Sequence, residues 1–305
     1  MDLSIIIVSY NTKKLLEDCL LSIKEKIGKI DYEVIVVDNG SSDGSVELIN
    51  SLSSQIPLKL IKSGGNIGFG RANNLGMKIT KGKYILLLNS DTVIKGPILP
   101  EMMDWMDSHP KVGVTSCALR NADGSLQGTG GYFPTLPKIF AWMFFLEDIP
   151  FLDRFIKPFH PMHPNSFFYK GTAFFEKEGE RNWVTGAFFL MKKEVIAKTG
   201  SFDPDYFMYT EEVDLCFRIK KAGWKIWYLP KWNIIHYGGG SSTSEFPILS
   251  EYKGIKIFYE KRMPKWQYPV VRTFLKLGAL KRIFIFGLLK GKGAAKTYAK
   301  AFILA

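Results

Sequence analysis

The chain has 305 residues, of which 46% are hydrophobic and 23% charged. This composition supports a folded core and excludes disordered, collagen-like and coiled-coil proteins. Its three cysteines, Cys19, Cys117 and Cys216, are too few and too scattered for a disulfide framework or a Cys-rich zinc site. We therefore expect reduced thiols and a cytoplasmic setting. The first eleven residues have no basic segment and a short apolar run, so neither a secretory signal nor a spanning helix is expected there.

The net charge of +12 is confined to the C-terminal end of the chain. Residues 253–305 contain 13 Lys or Arg and one acid, Glu260, which leaves 28 basic and 28 acidic residues in the rest. The body is thus electrically balanced. The tail interleaves its cations with Leu, Ile and Phe and offers no base-stacking platform, so we expect no nucleic-acid partner.

The first ninety residues alternate apolar strands with helical or loop segments. Residues 15–23 repeat apolar side chains at helical spacing, and a Gly/Asn-rich loop precedes another helical segment. This order predicts an α/β domain with a mostly parallel sheet, whose ligands bind at the carboxyl ends of the strands. The predicted strands are residues 3–8, 33–37, 58–61 and 84–88.

Residues 118–182 lose this regularity and are predicted to be an insertion. The aromatic stretch FPTLPKIFAWMFFLEDIPFL within it predicts an amphipathic or interfacial helix. The regular pattern resumes with a strand in 183–191, a helix near 193–198, a charged helix from about Thr210, and short strands KIWYL and NIIHY. We therefore predict one domain over 1–245 and a basic helical tail over 246–305.

Two carboxylates follow predicted strands directly. Asp38 precedes a polar loop, and Asp91 ends the sequence Asn89, Ser90, Asp91 after the strand YILLL. Side chains of this kind also form ordinary turns, which is the structural alternative. Two acids at neighbouring strand ends nevertheless indicate a site for a polar ligand.

The segment GGNIGFGRANN (64–74) supplies glycines for close backbone approach and Arg71 before a helix, which favours an anion cradle. A tight turn that needs positive φ is the alternative. The segment is not a dinucleotide fingerprint, because Asn73 stands where the third glycine belongs, and the chain has no P-loop sequence.

The segment FMYTEEVDLCFR places Glu211, Glu212 and Asp214 at a predicted helix start with Thr210 as N-cap. Acids are favoured there for structural reasons. Their apolar neighbours can also raise a carboxylate pKa and make it a general base. His236 follows a strand and precedes a polar loop. His160 and His163 lack partners at metal-site spacing and are predicted to be loop residues.

Taken in order, these segments resemble family 2 glycosyltransferases of the GT-A fold, and among them the bacterial rhamnosyltransferase-like branch that builds surface polysaccharides. The matching segments cover most of residues 3–242: SIIIVSYN, EVIVVDNGSSDGS, NIGFGRANN, YILLLNSDT, WVTGAFFLMKKEVIAKTGSFDPDYFMYTEEVDLCFR and IIHYGGGSS.

The resemblance implies a role for each matching residue. Asp91 would bind a divalent cation, Mg²⁺ or Mn²⁺, with His236 as a second ligand, since Asn89 replaces the first acid of the D-x-D-type motif. Glu212 would be the catalytic base, with Glu211 as the alternative. Asp214 and Trp183 would contact the acceptor, and residues 118–182 would be a variable insertion on the acceptor or membrane side. The nucleotide sugar would be bound by Ser9, Tyr10, Asn11, Asp38, Asn66, Gly68, Arg71, Asn89, Ser90 and Gly186.

The implied activity is an inverting transfer of rhamnose from dTDP-L-rhamnose to a lipid-linked or polymeric glycan, with no covalent intermediate. A UDP-sugar-dependent transferase (GlcNAc, Gal or Glc) and a non-catalytic membrane-associated scaffold are the alternatives. The protein would act in the cytoplasm, peripherally on the inner face of the cell membrane.

The charge of the tail supports that location on its own. In residues 270–290 charges interrupt every apolar run, so a spanning helix is not expected. On a helical wheel Arg272, Lys276 and Lys290 share one face, with Arg282 near it. Such a helix can lie in a membrane interface. Packing on the enzyme body or in a homo-oligomer is the alternative.

Overall fold

The computed structural model describes residues 1–149, 152, 155–156, 159–161, 173–238 and 245–305. Within these ranges a β-sheet is flanked by helices. The strands are β1 (Leu3–Ser9), β2 (Tyr32–Asp38), β3 (Leu58–Lys62), β4 (Tyr84–Asn89), β5 (Thr92–Ile94), β6 (Val112–Arg120), β7 (Gly130–Gly131), β8 (Gly179–Glu180), β9 (Trp183–Val184), β10 (Phe188–Lys192) and β11 (Lys225–His236). The helices are α1 (Lys13–Lys26), α2 (Ser45–Leu52), α3 (Phe69–Met77), α4 (Ile98–Ser108), α5 (Leu136–Phe144), α6 (Ala173–Glu176), α7 (Lys193–Thr199), α8 (Glu211–Lys221), α9 (Glu245–Arg262), α10 (Gln267–Lys290) and α11 (Lys292–Leu304), with a 3-10 turn at Leu146–Asp148.

The main sheet has the strand order β3-β2-β1-β4-β10-β6-β11-β5, with β8 added on β11. The four predicted strands are confirmed as β1 to β4, and they pair in parallel. Nearly all apolar side chains of β1, β2 and β4 are buried, because helices cover both sides of the sheet, while those of the edge strand β3 are half-buried. The register sets Ser9 beside Asp38 and Val8 beside Asn89, so the polar strand ends meet at one edge.

The other half of the sheet is mixed. Strands β10 and β5 run antiparallel to their neighbours, while β6 and β11 are parallel to each other. The segments KIWYL and NIIHY, predicted as two short strands, form the single strand β11. The register of β11 against β6 shifts between Leu229 and Asn233, around Pro230. Proline has no N–H for the ladder, so the strand bulges there and its sequence resembles two pieces.

The C-terminal helices pack on the body of the protein. Tyr252 and Phe258 of α9, and Leu275 of α10, belong to the same buried cluster as Phe189 of the sheet and Leu215 of α8. The predicted boundary at residue 245 therefore coincides with the start of α9, but the core continues across it. Cys19, Cys117 and Cys216 are free and buried.

Helix α5 of the predicted insertion packs against α10. A Cβ at Gly278 would lie 2.5 Å from the Sδ of Met143, so a glycine is needed where the two helices meet. Arg282 is buried there and donates to the carbonyl oxygens of Met143 and Trp142, each at 2.7 Å. The prediction that Arg282 lies near a membrane-facing side of its helix is therefore wrong. Its guanidinium is buried and donates to carbonyl oxygens in the last turn of α5.

Predictions for His163, for residues 162–172 of the insertion and for positions 239–244 of the loop after His236 fall outside the described residues. Across the described ranges, no helix has the length and apolar character needed to cross a membrane.

Candidate active site

A cavity of about 510 Å³ opens at the polar edge of the sheet. It lies where the carboxyl ends of β1 and β4 meet α8 and the start of α9. Nine of the residues predicted from the sequence line it: Tyr10, Asn66, Gly68, Asn89, Ser90, Asp91, Gly186, Glu211 and Glu212.

The loop after β1 connects the rim to neighbouring strands. The hydroxyl of Thr12 lies 3.1 Å from that of Ser9 and 2.9 Å from that of Ser90, so three hydroxyl groups from two strand ends form one chain of hydrogen bonds. Asn11, with a φ of 53°, accepts a hydrogen bond from the backbone N–H of Ser42 at 2.8 Å. Ser9 and Asn11 thus shape the rim, while Tyr10 and Thr12 line the cavity.

Asp38 lies beside the cavity but does not line it. Its carboxylate accepts hydrogen bonds from the backbone N–H groups of Gly40 and Ser41, both at 3.3 Å, and it is buried. The next residue, Asn39, lines the cavity and donates to Asn66 Oδ1 at 3.0 Å. Asp38 therefore fixes the turn that presents Asn39.

Gly68 lets the loop before α3 approach the segment before α8. Its φ is 89°, and a Cβ there would lie 2.2 Å from the carbonyl oxygen of Phe207. That oxygen accepts a hydrogen bond from the N–H of Phe69 at 3.0 Å. Arg71, predicted to line the cavity, instead donates from Nε to the Pro204 carbonyl at 2.6 Å and points to solvent. Arg71 thus contacts the segment before α8 from its solvent-exposed side.

Asp91 lines the cavity, and its Oδ1 lies 3.2 Å from Nε2 of His236, which is not itself a lining residue. Gln127 fixes the histidine tautomer. Its Nε2 donates to the His236 carbonyl at 2.6 Å and to Asn121 Oδ1 at 2.5 Å, so its Oε1 accepts from the imidazole Nδ1–H at 2.7 Å. In a neutral imidazole, the unprotonated Nε2 then lies 3.2 Å from Asp91 Oδ1 and 3.4 Å from Asn89 Nδ2.

Two electron-rich groups in this arrangement fit a cation between them. A carboxylate oxygen and an imidazole nitrogen are ordinary ligands of divalent metals, and the Gln127 contact is of the kind that orients ligating histidines. In the described ranges, no cluster of three or more His, Cys, Asp or Glu side chains could hold a metal. The protein can therefore supply these two ligands, and the remaining positions suit phosphate oxygens and water.

Glu211 and Glu212 begin α8 and line the cavity. The preceding Tyr209 and Thr210 have φ angles of 66° and 72°, a left-handed conformation that costs a non-glycine residue about 1–3 kcal/mol. This turn directs the start of the helix to the cavity. Among the described residues, neither the Oε2 of Glu211 nor that of Glu212 has a hydrogen-bond partner.

The surroundings raise the pKa of both carboxyl groups, but not for the same set of reasons. Burial raises the pKa of Glu211 well above its usual range, and the negative charge of Glu212 raises it further. Burial raises the pKa of Glu212 to about 7. Burial and the charge of Glu212 thus favour the protonated form of Glu211, while Glu212 can exchange a proton near neutral pH, as a general base must.

His160 adds a positive charge to this region. Its ring lies against Trp142 and Trp183, with centroid distances of 6.1 and 5.7 Å, and it forms an ion pair with Glu251 of α9. Burial lowers the pKa of His160, but Glu251 raises it above its ordinary value. The imidazolium in turn lowers the pKa of Glu212. The sequence predicted only a loop residue here.

Helix α9 forms part of the cavity wall. Phe246 lines the cavity, with its ring centroid 6.0 Å from that of Phe207. Gly254 packs against the turn before α8, since a Cβ there would lie 2.5 Å from the Oγ1 of Thr210. The helix assigned to the tail therefore supports the residues that present Glu211 and Glu212.

The acceptor contacts predicted for Asp214 and Trp183 are not found at the cavity. Asp214 is 0% exposed, and its oxygens accept from Arg218 Nε at 2.8 Å and Arg262 Nε at 2.5 Å. It is a structural acid that joins α8 to α9. Trp183 is buried and donates from Nε1 to the Tyr132 carbonyl at 3.0 Å. Its ring supports His160 from behind the cavity.

Besides His160, sequence reasoning missed Gln127, Asn39, Thr12 and Phe246. Asn39 and Thr12 could have been found, because each adjoins a predicted site residue. Gln127 lies in the irregular insertion and Phe246 beyond the matching segments, where no pattern in the sequence indicates a role.

Similarity to known proteins extends over most of the chain. The family model described as Glycosyl transferase family 2 matches residues 4–200. N-acetylglucosaminyl-diphospho-decaprenol L-rhamnosyltransferase of Mycobacterium tuberculosis is 26% identical over 288 residues, which is 90% of this chain and 89% of that protein. Rhamnosyltransferase WbbL of Escherichia coli is 28% identical over 256 residues, 79% of this chain and 86% of that protein.

Among solved structures, the mannosyltransferase PcManGT from Pyrobaculum calidifontis, in complex with GDP-Man and Mn²⁺, has a similar fold. Its TM-score is 0.57 at 16% identity, covering 98% of this chain and 73% of that chain. The likeness confirms the GT-A fold expected from the sequence. The family model matches well over half of the chain and contains the strand ends that form the cavity rim. The chain therefore belongs to glycosyltransferase family 2.

Proposed function

We propose that the protein is a cation-dependent inverting transferase that moves rhamnose from dTDP-L-rhamnose to a hydroxyl of a lipid-linked or polymeric glycan. The observation that carries the proposal is that one cavity is lined by Asp91, whose carboxylate lies 3.2 Å from His236 Nε2, and by the carboxyls of Glu211 and Glu212. The names of the relatives support the sugar, since both are rhamnosyltransferases, and one name specifies a polyprenyl-diphosphate acceptor.

In this proposal the strand ends bind the donor. Tyr10 and Asn39, with Asp38 behind them, hold the base and ribose, and Ser90 and the loop at Gly68 flank the diphosphate. Asp91 and His236 hold a divalent cation. The imidazole ligand favours Mn²⁺, because Mg²⁺ binds mainly oxygen ligands. When bound, the cation neutralises negative charge on the diphosphate leaving group.

Glu212 acts as the general base. Its carboxylate accepts the proton of the acceptor hydroxyl as that oxygen bonds to the anomeric carbon, and the bond from this carbon to the diphosphate oxygen breaks with its electron pair. The configuration inverts, and no covalent enzyme intermediate forms. Glu211 stays protonated, so it adds no second negative charge that would oppose deprotonation of the acceptor.

The turnover number is expected to fall as the pH drops through about 7, because Glu212 is protonated below its pKa. His160→Gln is expected to move this acid limb to higher pH by about 0.5 to 1 unit, since a positive charge that favours the carboxylate is removed. The His160→Gln variant leaves the other ionisable groups of this region in place, namely Glu211, Glu251 and Glu147. His109→Gln, which changes an exposed histidine after α4, is the control. An unchanged acid limb in His160→Gln contradicts the assignment.

A donor panel tests the activity as a whole. With Mn²⁺ present, dTDP-L-rhamnose is expected to be hydrolysed at least about 10-fold faster than UDP-GlcNAc, UDP-galactose or UDP-glucose. Release of the nucleoside diphosphate is the measurement, and a cation-free sample is the control. Faster turnover of a UDP-sugar would reassign the donor. No turnover of any donor would overturn the proposed catalysis and favour a non-catalytic scaffold.

The location follows from the proposed acceptor. We propose that the protein works in the cytoplasm at the inner face of the cell membrane, with the C-terminal helices in peripheral contact with lipid. The basic residues of 253–305 and the free, buried thiols support this placement.

A further inference from the structure

Helix α10 carries a row of exposed apolar side chains along its outer side. Leu277, Leu280, Phe284 and Leu288 are 47%, 42%, 65% and 89% exposed. They follow one another at intervals of three, four and four residues, so they lie on one face of the helix. We name this row the α10 stripe.

Two other helices flank the stripe. On one side α5 packs against α10, and the ring of Phe140, itself partly exposed, lies 5.1 Å from that of Phe274. On the other side α11 packs antiparallel to α10, with Lys276 Nζ 5.9 Å from the Phe302 ring and Arg272 Nε 2.8 Å from the Ala305 carbonyl. The buried side of α10 is thus fully used by the protein, and the stripe faces outward between its neighbours.

The charges around the stripe have one sign. Residues 261–305 contain eleven Lys or Arg and no Asp or Glu. Lys261 and Arg262 pair with acids of the body, and Arg282 is buried against α5. Lys276 and Lys281 lie on opposite sides of the stripe, since the first contacts Phe302 of α11 and the second donates to the Phe144 carbonyl at 3.1 Å. Beyond the stripe, three exposed cations follow at its C-terminal end: Lys290, Lys292 and Lys296.

We infer that the α10 stripe is a docking surface for an anionic lipid bilayer. Leucine and phenylalanine side chains enter the boundary between headgroups and acyl chains, while the flanking lysines reach the phosphate groups. A second copy of the chain fits this surface less well, because a twofold contact would bring the same lysines together without an acid in 261–305 to pair with them. The inference deepens the proposed function, on which its biological purpose rests.

The placement of α9 connects this surface to the active site. Its N-terminal residue Phe246 lines the cavity, and its buried residues Ile255 and Tyr259 share a core with Val271 and Leu275 of α10. Helix α9 therefore contacts both the cavity and the helix that carries the stripe. A lipid-linked acceptor could then reach the site without leaving the membrane surface.

Vesicle co-sedimentation of the full chain tests the surface directly. We compare phosphatidylcholine vesicles with vesicles containing about 30% phosphatidylglycerol, at about 0.1 M and about 0.5 M salt. The unmodified protein is expected to bind the anionic vesicles at least about 10-fold more tightly than the neutral ones at low salt, and high salt is expected to reduce that difference. Equal binding to both vesicles, or no binding, overturns the inference.

Two variants separate the apolar and electrostatic parts. The double variant Phe284→Ser and Leu288→Ser is expected to lose at least about 10-fold in binding, and Ile79→Ser, which changes an apolar side chain 40% exposed on the body, is the control. The triple change of Lys290, Lys292 and Lys296 to Gln is expected to lose at least about 10-fold on anionic vesicles only. The same change at the exposed Lys29, Lys62 and Lys78 is its control. Variants that bind like their controls overturn the inference.

Hydrolysis of dTDP-L-rhamnose without vesicles distinguishes a failure of the surface from a failure of the proposed function. The stripe variant is expected to keep this activity within about twofold, because the stripe does not contact the cavity. If the protein binds vesicles as described but hydrolyses no nucleotide sugar, the docking surface stands and the proposed catalysis fails. The unmodified protein could instead be a dimer that dissociates when Phe284 and Leu288 are both replaced by Ser. In that case the stripe is a subunit interface and the inference is wrong.

Discussion

Replacing Glu212 by Gln is expected to lower turnover by about 10²-fold or more while donor affinity stays nearly constant, because the side chain keeps its size but can no longer accept a proton. Glu211 and Glu212 both line the cavity, and the pKa of about 7 of Glu212 is the reason for choosing it over its neighbour. Turnover with saturating donor and titration of the nucleoside diphosphate are the two measurements.

Glu211→Gln is the matched control for this experiment. Burial and the charge of Glu212 favour the protonated form of Glu211, and an amide of the same shape matches that neutral form. Its turnover is expected to stay within about tenfold of the unmodified protein. A larger loss in Glu211→Gln than in Glu212→Gln would show that the base has been assigned one residue too late.

Asp91→Ala is expected to abolish sugar transfer, with a loss of about 10³-fold or more, and to remove the dependence of donor binding on a divalent cation. The variant removes the carboxylate that faces His236 Nε2 at 3.2 Å and leaves one protein ligand. Asp91 lies at a strand end and outside the apolar core, so the fold is expected to survive. Calorimetric titration of the nucleoside diphosphate with and without Mn²⁺ measures the effect.

Asp18→Ala is a suitable control, since Asp18 is an exposed acid on α1 that pairs only with Lys14 among the described contacts. His236→Gln should give an intermediate loss, because Asp91 remains to bind the cation. Near-normal turnover in Asp91→Ala, or donor binding that still responds to Mn²⁺, would exclude Asp91 as a ligand.

The sequence predicts the parallel half of the sheet and most of the cavity rim for one physical reason. A strand buried on both faces must be apolar throughout, and the first polar residue after it marks the edge of the sheet. Asn89 and Asp91 are found in this way, and the pairing of Val8 with Asn89 brings the β1 and β4 ends together.

What the sequence could not predict depends on contacts between distant segments. Asp214 belongs to the same acidic segment as Glu212 and has similar apolar neighbours in the sequence. It pairs instead with Arg262, 48 residues further along, and does not line the cavity. Gln127 acts through His236, 109 residues away. The sequence predicts two strands where the structure has the single strand β11, because Pro230 interrupts the apolar pattern. Pairing with β6 resumes beyond the proline.

The close packing of Gly254 on Thr210 limits how this enzyme can be recombined with its relatives. The part of the chain that matches the family model ends at residue 200, before the carboxyls at the start of α8 and before α9. A hybrid protein that joins the first 200 residues to a foreign C-terminal half would replace the turn at Thr210 and its supporting helix together. An exchange that cuts between them would pair a turn with a helix that was not selected to fit it. Any exchange in this half of the chain must therefore keep the turn at Thr210 and helix α9 together.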